Sequence, residues 1–595
     1  MPSSESRTVA RDAAAVLSRE QEREEHLSRL IQAGLAMAAE RDHDVLVERI
    51  LLEAKALGRA DGGTLYLRDE AGTALRFAIL RNDSLNLAMG GSAADPVTFP
   101  LLRMETPDGR PNYHNVCTAA ALSGHTINIP DAYESEAFDF SGTRRFDAGT
   151  GYRSQSFLTI PLRNHTDEVI GVLQLINAMD EHGTVVPFSR EIESLVEALA
   201  AQAAIALDNQ TLMRAQRDLL DALIKIMAGA IDAKSPYTSG HCERVPAIAK
   251  LMAEAACSAT DGPYAEFGLD EAEWYELHVA AYLHDCGKVT TPEYVMDKAT
   301  KLEIIHNRIH EVRVRFEVLR RDAEIAYWRT VAEGADEAEA RATRDAEIAR
   351  LDDDFTFVAT CNIGGEFMSP EHMARVRCIG DRPWVRHFDR TAGLSWQERH
   401  RQAECPPPPP PAVEPLLSNR PDHRVDGYDF GEIYNLCISR GTIAEEERQK
   451  INDHIVVTQR MLDQMPFPRH LARVPEIAGN HHEKMDGTGY PRGLRGEDMS
   501  PLARMMAIAD VFEALTASDR PYKKPKTLNE SVRILSLMVQ DDHIDPDLFE
   551  LFLSGGVHTA YAEMFLQPEQ VDGVDVDAYL RIAREARARR RGHAP

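Results

Sequence analysis

The segment around which this chain is organised is His481-His482-Glu483-Lys484-Met485-Asp486-Gly487-Thr488-Gly489-Tyr490-Pro491. Two adjacent imidazoles and a carboxylate run straight into a tight Gly/Pro turn that carries an aromatic ring. Two histidines in a loop make no site by themselves. Far upstream, however, His284-Asp285 follow the apolar run Val279 to Leu283, which places them at the end of a buried helix. His241 lies in Tyr237-Thr238-Ser239-Gly240-His241 at a helix start, and His454 sits on a helical stripe within Ile451 to Val456. Asp510 closes the run Met505-Met506-Ala507-Ile508-Ala509. An ionised carboxylate among apolar neighbours is costly unless something compensates its charge, and a metal ion does so. Mixed imidazole and carboxylate donors suit iron, manganese or zinc better than magnesium or calcium. The expectation is one split metal site gathered from several helices.

The motif HHEKMDGTGYP, taken with Leu283-His284-Asp285-Cys286-Gly287-Lys288, resembles the HD-GYP family of metal-dependent phosphodiesterases. The resemblance implies an all-α catalytic domain and hydrolysis of cyclic di-GMP to pGpG, and onward to GMP. It also implies two divalent ions, iron or manganese first and zinc as the alternative. Two ions about 3.5–4 Å apart activate a nucleophile and neutralise a phosphodiester together. By the resemblance, Asp285 bridges the pair, His241, His284 and Asp510 complete one ion, and His454, His481 and His482 the other. Members with a third metal carry an acid where this chain has Tyr237, which favours two. Lys288, Arg520 and Lys523 match positions that hold substrate phosphates, with Lys288 also placed to polarise the nucleophile's surroundings. Asp486, Gly487, Gly489, Tyr490 and Pro491 shape the loop, and Gly489-Tyr490-Pro491 is where the family meets partner domains. Two rival readings stand beside this one: a non-catalytic scaffold that binds cyclic di-GMP or a partner, and a related hydrolase acting on another nucleotide.

Upstream the periodicity changes. Apolar residues return every three or four positions from Leu27 to Leu57, which is helical. Thr64–Arg68 and Ala74–Leu80, then Phe157–Leu162 and Val169–Ile176, read as two strand pairs across Asp-Glu-Ala-Gly and Asn164-His165-Thr166-Asp167. Together with Asn128-Ile129-Pro130-Asp131-Ala132-Tyr133, Gly151-Tyr152-Arg153-Ser154 and GVLQLIN ending at Asn177, residues 27–208 resemble a GAF domain. That implies an α+β sensor built on an antiparallel sheet with flanking helices. Asn177, Phe188 and Glu193 fit a cyclic-nucleotide-binding pattern, but Ala178 and Ile192 replace its Lys and Asp, so the ligand stays unassigned.

From Ser189 to Ile231 a stripe including Ile192, Leu199, Leu207, Leu219 and Ile226 keeps helical spacing without a proline. Residues 189–231 are expected to form a connecting signalling helix, paired in a parallel homodimer and acting as a lever. The hydrolase domain is expected over 232–570, with an insertion at 302–440 that includes a six-proline run, Pro406 to Pro411, read as stiff polyproline II. His306 and His310 within it read as surface residues. A polar tail at 1–26 and a basic tail at 571–595, rich in Arg581, Arg584, Arg587 and Arg589 to Arg591, flank the whole.

Bulk properties set outer limits. A chain of 595 residues exceeds one core and implies three to four domain-sized units. No run of about 18 apolar residues occurs and the N-terminus lacks a secretory signal, so the reading is cytoplasmic, without a membrane partner. A net charge of −28 opposes nonspecific binding to nucleic acid and requires local cations for an anionic substrate. The eight cysteines form no C-x-x-C pair and read as reduced thiols.

Overall fold

The structure, a computed structural model, describes residues 24–93, 95–234, 240–365, 367–517 and 525–592. The chain divides into two compact units, Met1–Leu220 and Asp221–Pro595.

The first unit is built on an antiparallel sheet. Its strands are β1 (Ala60–Arg68), β2 (Ala74–Asn82), β3 (Leu87–Gly90), β4 (Leu102–Arg103), β5 (Ile127–Ile129), β6 (Phe157–Arg163), β7 (Val169–Met179) and β8 (Val185–Val186). They are ordered β3-β2-β1-β7-β6-β5, with β4 on β2 and β8 on β7. Asp69 closes the β1–β2 turn by accepting the Thr73 amide at 2.6 Å. Asp167 adopts a left-handed φ of 64° in the β6–β7 turn, a conformation Asp tolerates.

Strand alternation assigns residues to two cores. Leu65, Leu158, Ile160, Leu173 and Leu175 face one side, packed with the helix over residues 24–39, His43–Gly58 and the start of Arg190–Lys234. Tyr66, Phe157 and Val172 point the other way, toward Cys117 and Ala120 of Val116–Ser123. Both faces are covered. This is the antiparallel sheet with flanking helices read from the sequence, followed by a long helix, Arg190–Lys234, of 45 residues.

The second unit is helical around the segments that carry the site. Helix starts follow the sequence signals: Asp270 forms a capping box with Glu273, Ser500 caps a helix whose first residue is Pro501, and Thr527 pairs with Glu530. Phe512 of Pro501–Thr516 packs edge-on against Phe552 and Tyr561, with ring centroids 4.9 and 5.3 Å away.

Between Leu302 and Leu436 lies a second hydrophobic core, made from Val312, Phe316, Leu351, Val358, Val376, Leu416 and Leu417 among others. Helices Ile309–Ala332 and Glu337–Ile363 supply much of it. Buried ammonium groups tie this region to the rest of the unit. Lys298 holds Glu447 at 2.9 Å, and Lys301 donates to the carbonyls of Leu436 and Ile438 at 2.9 and 2.7 Å. Within the proline run, the Pro410–Pro411 bond is cis.

The expected basic tail requires correction: Val576–Gly592 is a helix. Ala583 and Ala586 are buried at 0% and 2% exposure, Arg584 holds Glu550 at 2.9 Å, and Arg587 pairs with Asp547 and Glu550. Small apolar residues among the arginines give it a face to bury. Of the N-terminal stretch 1–26, residues 1–23 lie outside the described residues. Among the described residues no helix is long and apolar enough to cross a membrane.

Candidate metal centre

Five segments of the second unit bring the site together. His241 is the first residue of helix His241–Cys257, behind Gly240 at φ 80°. His284 ends helix Glu271–Leu283, and Asp285 opens the short turn Cys286–Thr290. His454 lies within helix Glu445–Asp463, His481 and His482 follow Val474–Gly479, and Asp510 projects from Pro501–Thr516. Gly287 allows the second and third segments to meet. A Cβ there would lie 1.9 Å from the His454 carbonyl oxygen, so only glycine permits this backbone contact. Its amide donates to Thr458 Oγ1 at 2.9 Å.

The donor atoms fall into two groups, each with its members within 4.8 Å of one another: His241, His284, Asp285 and Asp510 in one, His454, His481 and His482 in the other. Asp285 faces both. Its Oδ2 lies 3.1 Å from His241 Nε2 and 3.2 Å from His284 Nε2, while its Oδ1 lies 3.2 Å from His454 Nε2. Asp510 Oδ1 is 3.5 Å from His241 Nε2.

A hydrogen-bonded outer layer fixes the imidazoles. Nδ1 of His284 donates to the Ala281 carbonyl at 2.8 Å, Nδ1 of His481 to Ala478 at 2.6 Å, and Nδ1 of His454 to Ile451. His241 Nδ1 donates to Glu513 Oε2 at 2.8 Å. With the proton assigned to Nδ1, each Nε2 presents a lone pair inward. His241 Nε2 and His284 Nε2 then face each other at 3.3 Å, and His482 Nε2 lies 3.3 Å from His454 Nε2. Among the described residues, Asp285 Oδ1 and His481 Nε2 are buried without a hydrogen-bond partner. Imidazole nitrogens and carboxylate oxygens that converge in a buried space suit a cation, so these donor sets fit a metal ion in each group.

The electrostatics follow the same geometry. Burial pushes the Asp285 carboxyl up, but Lys288 and His284 outweigh it and hold the group well below the usual carboxylate range. Asp510 is likewise held low against burial by His481, His241 and His482. Burial and the neighbouring His482 keep His481 neutral, and burial brings His482 down to about 4. His241 is the exception. Burial opposes its charge, yet Asp285 and Glu513 raise it to about 9, so a proton competes for this position.

Lys288 pairs with Asp285 Oδ2. Tyr490 stacks on His482, with centroids 4.9 Å apart at 22°. Glu483 accepts the amides of Arg492 and Leu494 at 2.7 and 2.9 Å, folding the Gly-Tyr-Pro loop back on its own start. Arg520, Lys523 and Tyr237 lie outside the described residues. Among the described residues, His306 and His310 are not gathered with other donors: His306 faces Glu311 at 3.3 Å and His310 faces Arg313 at 2.6 Å, both on exposed side chains.

Sequence reading missed Glu513. It sits one helical turn after Asp510 in the same apolar stretch, 1% exposed, held also by Arg244 Nε at 2.8 Å. A second carboxylate on the buried face of that helix was the available signal.

In the first unit, Asn177 is committed internally. Its side chain accepts the Gln155 and Ser156 amides at 2.7 and 3.3 Å and donates to Arg153 O and Tyr152 Oη at 2.8 and 2.9 Å. Phe188 is buried in the core and Glu193 accepts from Asn128 at 2.8 Å.

A family model described as HD domain matches residues 428–548, and one described as GAF domain matches residues 42–207. A Vibrio cholerae protein named 3'3'-cGAMP-specific phosphodiesterase 3 is 38% identical over 127 residues, covering 20% of this chain and 26% of that protein. A cyclic di-GMP phosphodiesterase of Pseudomonas aeruginosa is 46% identical over 82 residues, covering 14% of this chain and 19% of that one. This chain thus spans about a quarter or less of these relatives' length. The solved GAF domain of an Acinetobacter phosphoenolpyruvate-protein phosphotransferase aligns at 16% identity and TM-score 0.23, over 31% of this chain and 94% of that chain. With both family models matched in separate parts of the sequence, the chain carries an N-terminal GAF domain and a C-terminal HD domain.

Proposed function

We propose that the chain is an HD-GYP phosphodiesterase that hydrolyses a 3',3'-cyclic dinucleotide, cyclic di-GMP first, to the linear dinucleotide and onward to the mononucleotide. The observation that carries this reading is Asp285, with one oxygen toward each histidine group. His241, His284 and Asp510 would hold one divalent ion, His454, His481 and His482 the other, with Asp285 shared. Bound there, iron or manganese ions, or zinc in their place, would supply nucleophile activation and charge neutralisation.

The chain's own residues do the rest. Glu513 and the carbonyls of Ala281, Ile451 and Ala478 orient the imidazoles. Lys288, 21% exposed at its side chain beside a buried carboxylate, offers a cation to a phosphate oxygen at the edge of the centre. Arg520 and Lys523 follow in sequence as further phosphate contacts. The Gly489-Tyr490-Pro491 loop serves as a docking edge for a partner domain. The GAF domain acts as the sensor, and Arg190–Lys234 as the lever of a parallel homodimer. Exposed Leu212, Met213, Leu219, Leu223 and Ile226 support this pairing, because an unpartnered apolar stripe on one long helix suits a second copy.

The test is turnover of cyclic di-GMP, 3',3'-cGAMP and linear pGpG by protein with its metal content measured. About two ions per chain with cyclic-dinucleotide cleavage is the expected result. Metal-loaded protein that cleaves none of the three sinks the reaction, and preference for cGAMP over cyclic di-GMP, as the name of the Vibrio relative suggests, moves the substrate. Isolation without metal and without turnover supports the scaffold reading instead.

A further inference from the structure

A cleft of about 430 Å³ lies between the insertion and the start of the helix that carries His454. That volume is in the range of small-molecule sites. Three arginines from three segments line it. Arg377 comes from helix Pro370–Gly380, Arg440 from the turn before Gly441, and Arg448 from the first turns of Glu445–Asp463. Against them stands the single lining carboxylate of Glu445. Met373, Ile433, Cys437, Ile438 and Ile443 form an apolar floor, with the Tyr434 ring at its side, fixed by its hydroxyl donating to Glu446 Oε2 at 2.7 Å.

Among the described residues, no carboxylate is in an ion pair with the arginines of this cleft. On a chain of net charge −28, the neighbouring arginines are in ion pairs: Arg375 with Asp353 and Asp354, Arg386 with Glu414, Arg390 with Asp422. Arg377, Arg440 and Arg448 have no ion pair among the described residues. Like charges gathered on one concavity repel, and an anion between them removes that cost. Guanidinium forks match phosphate and carboxylate groups by paired hydrogen bonds. An apolar floor beside an aromatic ring suits the flat face of a base.

We propose that this cleft is a second nucleotide site, separate from the metal centre, that binds the phosphate of a nucleotide on Arg377, Arg440 and Arg448 with its base over the Ile433–Ile438 floor. It does not depend on the reaction proposed above. Arg448 and His454 share one helix, six residues or about 9 Å apart along its axis, so occupancy of the cleft acts on the element that positions a metal-site imidazole.

The test is calorimetric titration of the full chain with GMP and, separately, with inorganic phosphate. GMP binding is expected in wild-type protein, in protein stripped with a chelator, and in Asp285→Ala. The double variant Arg377→Ala/Arg440→Ala is expected to bind GMP about tenfold or more weakly, a loss of about 1.4 kcal/mol or more. Both positions are exposed, so the fold is retained, and Arg448→Ala gives an independent second measurement with the same expected direction. Unchanged affinity in both arginine variants, or binding that disappears on metal stripping and in Asp285→Ala, overturns the site. Equal affinity for GMP and inorganic phosphate overturns the base-binding floor. None of these outcomes requires turnover, so a failed phosphodiesterase assay leaves this site to be judged on its own.

Discussion

Asn177 in the first unit and Asp285 in the second are both polar, both next to apolar chain, and both 2% exposed. Their surroundings are opposite. Asn177 finds four partners and completes the backbone entering β6. Asp285 meets Lys288 at its Oδ2 and faces the imidazole nitrogens of His241, His284 and His454, yet its Oδ1 has no hydrogen-bond partner among the described residues although His454 Nε2 is 3.2 Å away. Burial alone therefore says nothing about ligands. A buried polar group whose bonds close within the protein is structural, and one that keeps an unpartnered oxygen among imidazoles fits a cation.

The largest effect is expected at the centre of that contrast. Asp285→Ala removes the carboxylate that faces both donor groups, and both metal retention and turnover should be abolished, read by elemental analysis and by cyclic-dinucleotide cleavage. Wild-type metal content in this variant would overturn the ligand assignment. Glu513→Ala should be milder. Glu513 touches no proposed ion and acts through His241, so metal affinity should fall about 10- to 100-fold. Activity should return when metal is added in excess, whereas a residue in contact with substrate would show no such rescue.

Asn177→Ala tests the other side. It leaves the Gln155 and Ser156 amides buried and unpaired and should cost about 1–3 kcal/mol. The shift in unfolding midpoint should be the same with metal or chelator present. A shift that vanishes when a nucleotide is added would mean that Asn177 belongs to a ligand site after all.

Much of this was readable in the residues. Strand alternation at Leu65/Tyr66 and Val172/Leu173 sorts side chains to two faces of one sheet, and the turns carry Asp, Gly and Asn where the backbone requires them. The seven candidate donors stood out through the HD-GYP resemblance, since each His or acid alone reads as readily as an ordinary core or loop residue, and the structure brings them within 4.8 Å in two groups. Glu513 was less visible, since a lone acid on a helix is as readily a surface residue and only the three-dimensional approach to His241 sets it apart. The C-terminal helix hid behind its arginines, where two alanines carry the buried face. Nor could sequence show that the insertion has a core of its own, because Val312, Leu351, Val376 and Leu417 come from segments too far apart for any local period to connect.

The smallest expected effect sharpens the rule from within that insertion. His423 is 7% exposed and its Nε2 is buried without a partner, as His481 Nε2 is. Its neighbours differ. Burial, then Arg420 and Arg308, bring it down to about 4, with Glu432 and Asp422 opposing more weakly. Cations already surround it, so a metal ion would be repelled, and an unpartnered nitrogen is not by itself a ligand. The consequence is a stability effect. An unfolded histidine titrates near about 6.5. Because the folded value is depressed, neutral His423 contributes its full stability above about 6.5, and that contribution is lost as pH falls toward 4. His543 and His482 are depressed to about 4 as well, so they share the same window. His423→Phe should therefore reduce, and not eliminate, the fall in unfolding midpoint between pH 6.5 and 4. An unchanged slope would show that His423 keeps an ordinary pKa and that water reaches its ring.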